Sequence, residues 1–137
     1  MEGNNSTITR TGSEEMRFFT AVSYDQKVAD LTLNKLTLKN GKNLGYDGGA
    51  VYASDSTLTI SYCTLTGNET GLVGGGIFAT YSDVTITKSN INDNKSYGGG
   101  GIYAGYGAVT IIDSTLSGNE ALIGEGGGPY LSSATVT

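Results

Sequence analysis

Residues Gly48–Asn68 read GGAVYASDSTLTISYCTLTGN. The pattern returns at Gly74–Asn94 (GGGIFATYSDVTITKSNINDN) and at Gly99–Asn119 (GGGIYAGYGAVTIIDSTLSGN). A fourth copy opens at Gly126 as GGGPYLSSATVT and runs to Thr137. Inside each copy the apolar residues stand seven apart: Val51, Leu58 and Leu65; Ile77, Val84 and Ile91; Ile102, Val109 and Leu116. Between copies the step is 26 residues from Val51 to Ile77, 25 to Ile102 and 27 to Pro129. The slack falls in the segment after each Gly-Asn or Asp-Asn. Self-similarity at a period of roughly 20–50 residues marks a stacked repeat.

Within a repeat the local period is two. Thr57-Leu58-Thr59-Ile60, Asp83-Val84-Thr85-Ile86 and Ala108-Val109-Thr110-Ile111 alternate polar and apolar, as half-buried strands do. No window sustains the i, i+3, i+4 stripe of a helix. Seven residues between inward positions leave room for a short strand and a tight bend, so three sides make one coil. Coils then stack at roughly 4.8 Å. The spacing predicts an all-β fold, a right-handed parallel β-helix of about five coils of 25–27 residues with three strands per coil. The hand follows from the general preference of parallel crossovers. The chain reads as one solenoid domain over 1–137, irregular over 1–30 and regular over 31–137.

Other columns follow from the same stacking. Asn68, Asn94 and Asn119 fall three residues beyond Leu65, Ile91 and Leu116 and are expected to form an amide ladder. Cys63, Ser89 and Ser114 share a small-residue column, which reads Cys63 as a filler rather than a reactive thiol. Tyr52, Phe78, Tyr103 and Tyr130 make an aromatic column. Paired glycines before each Val, Ile or Pro supply backbone angles that other residues avoid. Upstream, Ile8 is equivalent to Leu38 and Leu65, and Phe18-Phe19 opens the first side of the following coil. Arg10–Arg17 and Ser23–Asp30 read as insertions, hence loops. Lys27, Lys35, Lys39 and Lys42 flank them and read as a solvated face, with a patch for an anionic ligand as the alternative.

GGAVYA, GGGIFA and GGGIYA, each followed by LTGN, INDN or LSGN, resemble the GGAI and FxxN repeats of polymorphic outer-membrane proteins. They are similar also to the Gly-rich β-helix repeats of large bacterial surface and secreted proteins. Leu or Ile replaces the Phe of FxxN here, and Lys39-Asn40-Gly41 stands where the first asparagine of the column should fall. The resemblance covers about Leu31–Thr137. It implies a right-handed β-helix outside the bacterial cytoplasm, at the cell surface or extracellular, serving as a passenger, stalk or adhesive segment without catalysis.

Composition narrows the chemistry. The net charge is −5 with no basic run, which argues against nucleic acid as a partner. Histidine is absent, which removes the commonest general base and metal ligand. One cysteine makes no internal disulfide. Met1–Asn5 has no basic n-region, and no apolar run is long enough to insert in a membrane. No aspartate recurs after the glycines, as calcium-binding Gly-rich repeats require, so neither metal nor cofactor is expected. Asn68-Glu69-Thr70 and Asn94-Lys95-Ser96 match the glycosylation sequon, but ladder asparagines would be inaccessible. Asp55, Asp83 and Asp113 fall in different columns; only Tyr62, Lys88 and Asp113 share one with charges to pair.

These observations read as a non-catalytic structural or adhesive solenoid, with a polysaccharide-binding or polysaccharide-cleaving β-helix as the alternative. Glycans or a host surface are the partners those roles imply. A minor alternative is ice binding. It would use the outward column Thr32, Thr59, Thr85, Thr110 and Thr137, and the pairs Thr7/Thr9, Thr37/Lys39, Thr64/Thr66, Asn90/Asn92 and Thr115/Ser117. Both ends read as uncapped, beginning on a third side at Ile8 and stopping on a second side at Val136. Thr7, Ile8 and Thr9 are therefore expected to meet Thr135, Val136 and Thr137 of the next molecule head to tail. Equally, both ends could join neighbouring coils of a longer parent chain.

Overall fold

In Ser56–Ser61 the side chains of Ser56, Leu58 and Ile60 are buried while Thr57, Thr59 and Ser61 are half exposed, the signature of a strand with one wet face. The whole chain is built this way. The structure, a computed structural model, describes residues 1–25, 27–123, 127, 129–132 and 135–136. The first strands are β1 (Glu2–Thr9), β2 (Phe19–Val22), β3 (Ala29–Lys39) and β4 (Lys42–Asn43). The next coil holds β5 (Val51–Ser54), β6 (Ser56–Ser61), β7 (Thr64–Thr66) and β8 (Glu69–Thr70). After it come β9 (Ile77–Thr80), β10 (Asp83–Thr87), β11 (Asn90–Asn92) and β12 (Lys95–Ser96), then β13 (Ile102–Gly105), β14 (Ala108–Ile112), β15 (Thr115–Ser117) and β16 (Glu120–Ala121). The described residues finish with β17 (Pro129–Ser132) and β18 (Thr135–Val136).

All strand pairings are parallel and join one coil to the next; strands of the inner coils pair on both sides, and those at the ends of each sheet on one side. The first side runs β2-β5-β9-β13-β17, and the second and third sides meet in the long strand β3 to give one nine-stranded sheet. Val51, Ile77 and Ile102 are in register, as are Leu58, Val84 and Val109, and Leu65 and Ile91 with Leu116. Eight of these nine are almost completely buried. Leu116 is only half buried: among the described residues no third-side strand lies over β15, so its column has a neighbour on one side only.

Three details differ from the reading of the sequence. First, the coil has a fourth ladder, β4-β8-β12-β16, two residues per strand, in the segment that looked like a variable turn. Its inward residues are Thr70 and Ser96, too polar and too few to show as a period. Second, β1 begins on the second side: Glu2 pairs with Asn34, and a register shift then brings Ser6–Thr9 against Leu36–Lys39. Third, the ladder position of the first regular coil is Gly41, whose N–H donates to Asn68 Oδ1 at 2.8 Å. A Cβ there would stand 2.8 Å from the Phe18 ring, which fills the space an asparagine takes elsewhere.

The corners explain how so short a coil closes. Asn40, Gly67, Asp93 and Gly118 all have positive φ, and so do Gly48, Gly74 and Gly99. Two more corners put larger residues in the same left-handed region: Lys35, Tyr62, Lys88 and Asp113 at one, and Asp55, Tyr81 and Tyr106 at the other. The second glycine of each pair serves a different need. A Cβ on Gly75 would lie 2.6 Å from Lys95 O, and on Gly100 2.5 Å from Glu120 O, so these glycines let the first side approach the fourth ladder.

Candidate functional site

The buried polar columns are bonded along the axis. Asn68 Nδ2 donates to Asn94 Oδ1 at 2.9 Å and Asn94 Nδ2 to Asn119 Oδ1 at 3.0 Å. The same amide nitrogens also donate to Leu38 O, Leu65 O and, from Asn119, Ile91 O. Asn68 and Asn94 are fully buried, and Asn119, with less above it, is half buried. The sequons at Asn68 and Asn94 are thus sealed inside. A second ladder joins Cys63 N–H to Ser89 Oγ at 3.0 Å and Ser89 N–H to Ser114 Oγ at 3.1 Å. Burial pushes the Cys63 thiol pKa up, as expected of an inert filler.

Two aromatic ladders run along the axis outside the aliphatic columns, the first half buried, with Phe78 buried within it, and the second exposed. Tyr52, Phe78, Tyr103 and Tyr130 stack face to face with ring centroids 5.0, 5.4 and 5.1 Å apart. At Tyr52 the stack ends, since Thr20 occupies the next position. The Arg17 guanidinium takes over there, 4.8 Å from the Tyr52 centroid, donating to Gly48 O at 3.0 Å, Asp47 O at 2.6 Å and Thr20 Oγ1 at 3.2 Å. Arg17, Asn43, Tyr46, Asp47, Tyr52 and Leu72 line a groove of about 350 Å³. Burial raises the Asp47 pKa, opposed by the Val73 N–H it accepts and by Arg17; burial lowers that of Arg17.

The second ladder is Tyr81 on Tyr106, centroids 4.9 Å apart, both rings more than half exposed. Asp55 holds the position one coil below Tyr81, so no third ring stands there. In its place is an open groove of about 400 Å³ lined by Val28, Asp55, Ser56, Thr57, Tyr81, Asp83 and Tyr106. Asp55 and Asp83 belong to different columns, yet they share this groove because their columns flank one corner. Column position alone could not show that. Asp113 lies on another corner, with Lys88, whose Nζ donates to Tyr62 Oη at 3.2 Å. That bond holds the ammonium pKa above its usual value.

The remaining expected surface features are placed as follows. Lys35 is at a corner, Lys39 on the third side, Lys42 in the fourth ladder and Lys27 in the loop before β3, so the four lysines make no common patch. Thr32, Thr59, Thr85 and Thr110 are in register, but the outward columns that flank them mix Asp30, Thr57 and Asp83 on one side and Asn34, Ser61, Thr87 and Ile112 on the other. Among the described residues only the central column is therefore all threonine; Thr137 lies outside the described residues. On the third side Asn92 Nδ2 is tied to Thr66 Oγ1 and Asp93 Oδ2. Of the expected end-to-end contact, Thr7, Ile8 and Thr9 lie on β1 and Thr135 and Val136 on β18. Among the described residues no group of His, Cys, Asp or Glu is placed to hold a metal ion, and no helix is long and apolar enough to cross a membrane.

Stacked parallel strands, inward ladders and left-handed corners define a parallel β-solenoid. The family model described as a right handed beta helix region matches residues 2–136, and the chain belongs to that family. The family supplies the hand of the coil. No curated protein and no solved structure matches the chain.

Proposed function

We propose that the chain is a non-catalytic structural and adhesive rod that works outside a bacterial cytoplasm, its coils continued at both ends by another copy or by further coils of a parent chain. A β-helix carries enzymes as well as scaffolds, so the fold alone assigns no task. The observation that carries the reading is how the repeat is used. The aliphatic, asparagine, serine and aromatic columns all make their contacts along the axis, coil to coil. Among the described residues β1 and β18 pair on one side only, which leaves strand edges open for continuation. Identical head-to-tail contacts do not close, so a self-continuing rod is a fibre. Light scattering over a concentration series, with Val136→Lys as the control, tests this. Growth that the substitution blocks supports self-continuation. A chain that stays monomeric leaves continuation to a longer parent.

A second reading, saccharide binding, is favoured by the Tyr81 groove. A pyranose ring set on the Tyr81 face would continue the aromatic stack, with Asp55 and Asp83 accepting from its hydroxyls. Calorimetry with neutral oligosaccharides, repeated on Tyr81→Ala, tests it. Heat of binding that the variant loses supports the groove. Binding that Tyr81→Ala keeps, or none at all, removes it.

A further inference from the structure

The fourth ladder carries two outward columns. One alternates in sign: Lys42, Glu69, Lys95 and Glu120 follow one another in register, with Lys42–Glu69 at 3.1 Å and Lys95–Glu120 at 3.6 Å. Their side chains keep between 32% and 57% of their surface in water. Beside them runs an apolar strip. Leu44, Leu72, Tyr97 and Leu122 are 44%, 44%, 46% and 50% exposed, and Tyr46 and Ile123 about 70%. Backbone bonds from Tyr97 N–H to Leu72 O and from Ile123 N–H to Tyr97 O carry the coil-to-coil register through this segment. Leu44, Leu72, Tyr97 and Leu122 follow one another from coil to coil, with Tyr46 and Ile123 close to them in the chain. So many exposed large apolar side chains are more than scattered surface residues; such strips mark interaction faces.

We propose that a second copy of this chain docks on this strip with its axis reversed. The argument is the order of the charges. Consider a twofold axis lying in the interface and crossing the solenoid axis at right angles, midway between Glu69 and Lys95. It keeps each column opposite its own kind and reverses its order. Apolar strip then meets apolar strip, and Lys-Glu-Lys-Glu meets Glu-Lys-Glu-Lys. Lys42 faces Glu120 of the other copy, Glu69 faces Lys95, and each contact occurs twice. A twofold axis parallel to the solenoid instead sets each lysine against a lysine, or charges against leucines. Only the reversed arrangement satisfies both columns, and being isologous it closes as a dimer rather than growing. The strip spans three coil steps, roughly 15 Å, so the dimer is a weak one that forms at high protein concentration.

Sedimentation equilibrium over a wide concentration range reads the association, and paired charge reversals read its geometry. Lys42→Glu sets like charges together at both ends of the interface and is expected to raise the dimer Kd about tenfold, each change counting twice by symmetry. Adding Glu120→Lys makes the column Glu-Glu-Lys-Lys, which is again complementary to its own reverse, and the dimer returns. That double variant places like charges next to each other within the chain, so its thermal stability falls while its dimerisation recovers. A merely structural charge ladder predicts the opposite for association, or no effect. Glu69→Lys with Lys95→Glu gives a second, independent pair with the same logic. A dimer indifferent to Lys42→Glu and Glu69→Lys, double variants that stay monomeric, assembly past two copies in a Val136→Lys background where end-to-end growth is blocked, or that background staying monomeric at its solubility limit would each overturn the proposal.

Discussion

Asn94 is the residue with most to lose. Its amide donates to Asn119 Oδ1 and Leu65 O, and its Oδ1 accepts from both the side chain and the backbone N–H of Asn68. Asn94→Ala leaves those buried partners unmatched and is expected to lower stability by about 1–3 kcal/mol. Asn94→Leu, which restores volume, should be no better, and chemical denaturation of the two variants checks this. Wild-type stability in either would mean that the bonds are replaced by water. This column was legible in the sequence because a primary amide supplies two N–H donors and an accepting oxygen at every rung, where a hydroxyl has one donor, so the same residue recurs at one spacing. Leu116 was legible in position but not in burial. Spacing says which way a side chain points, whereas exposure depends on whether another coil lies above it.

At the scale of the element, the corners divide into those the sequence announces and those it hides. Gly67, Asp93 and Gly118 are residues that accept left-handed backbone readily; Tyr62, Tyr81, Lys88 and Tyr106 are not. Nothing local in a tyrosine marks it as a corner. The fourth ladder was hidden for a related reason: two residues with small polar interiors carry no hydrophobic period. Asp113, exposed at φ 50°, makes a test. Asp113→Gly is expected to leave stability unchanged or raise it by up to about 1 kcal/mol, and Asp113→Val to lower it by about 1–2 kcal/mol, as thermal melts would show. The Arg17-capped aromatic ladder has a pH signature. Folding raises the Asp47 pKa, chiefly by burial, so the folded chain holds this proton more tightly than the unfolded one. Stability should therefore fall as pH rises from the ordinary carboxylate value through the raised one. Asp47→Asn, which cannot ionise, should lack that part of the decline. Melting temperatures of both proteins between acid and neutral pH decide it; parallel curves would contradict the burial account.

For the molecule as a whole, the middle coils bear the load. Val84 is buried between Leu58 and Val109, so Val84→Asp places a carboxylate in an apolar column and should unfold the central coils, seen as loss of the strand signal in circular dichroism. Retention of the wild-type spectrum would mean that the column tolerates charge by rotating or opening. The stack also has two different repeat lengths. Its backbone repeats every coil, so any one coil could be removed or copied with strands and corners still matching. Its Lys42-Glu69-Lys95-Glu120 column repeats only every second coil. A chain shortened or lengthened by one coil therefore brings two like charges side by side, while a change of two coils restores the sequence of signs. Length in this architecture is free in steps of one for the fold and in steps of two for its electrostatics.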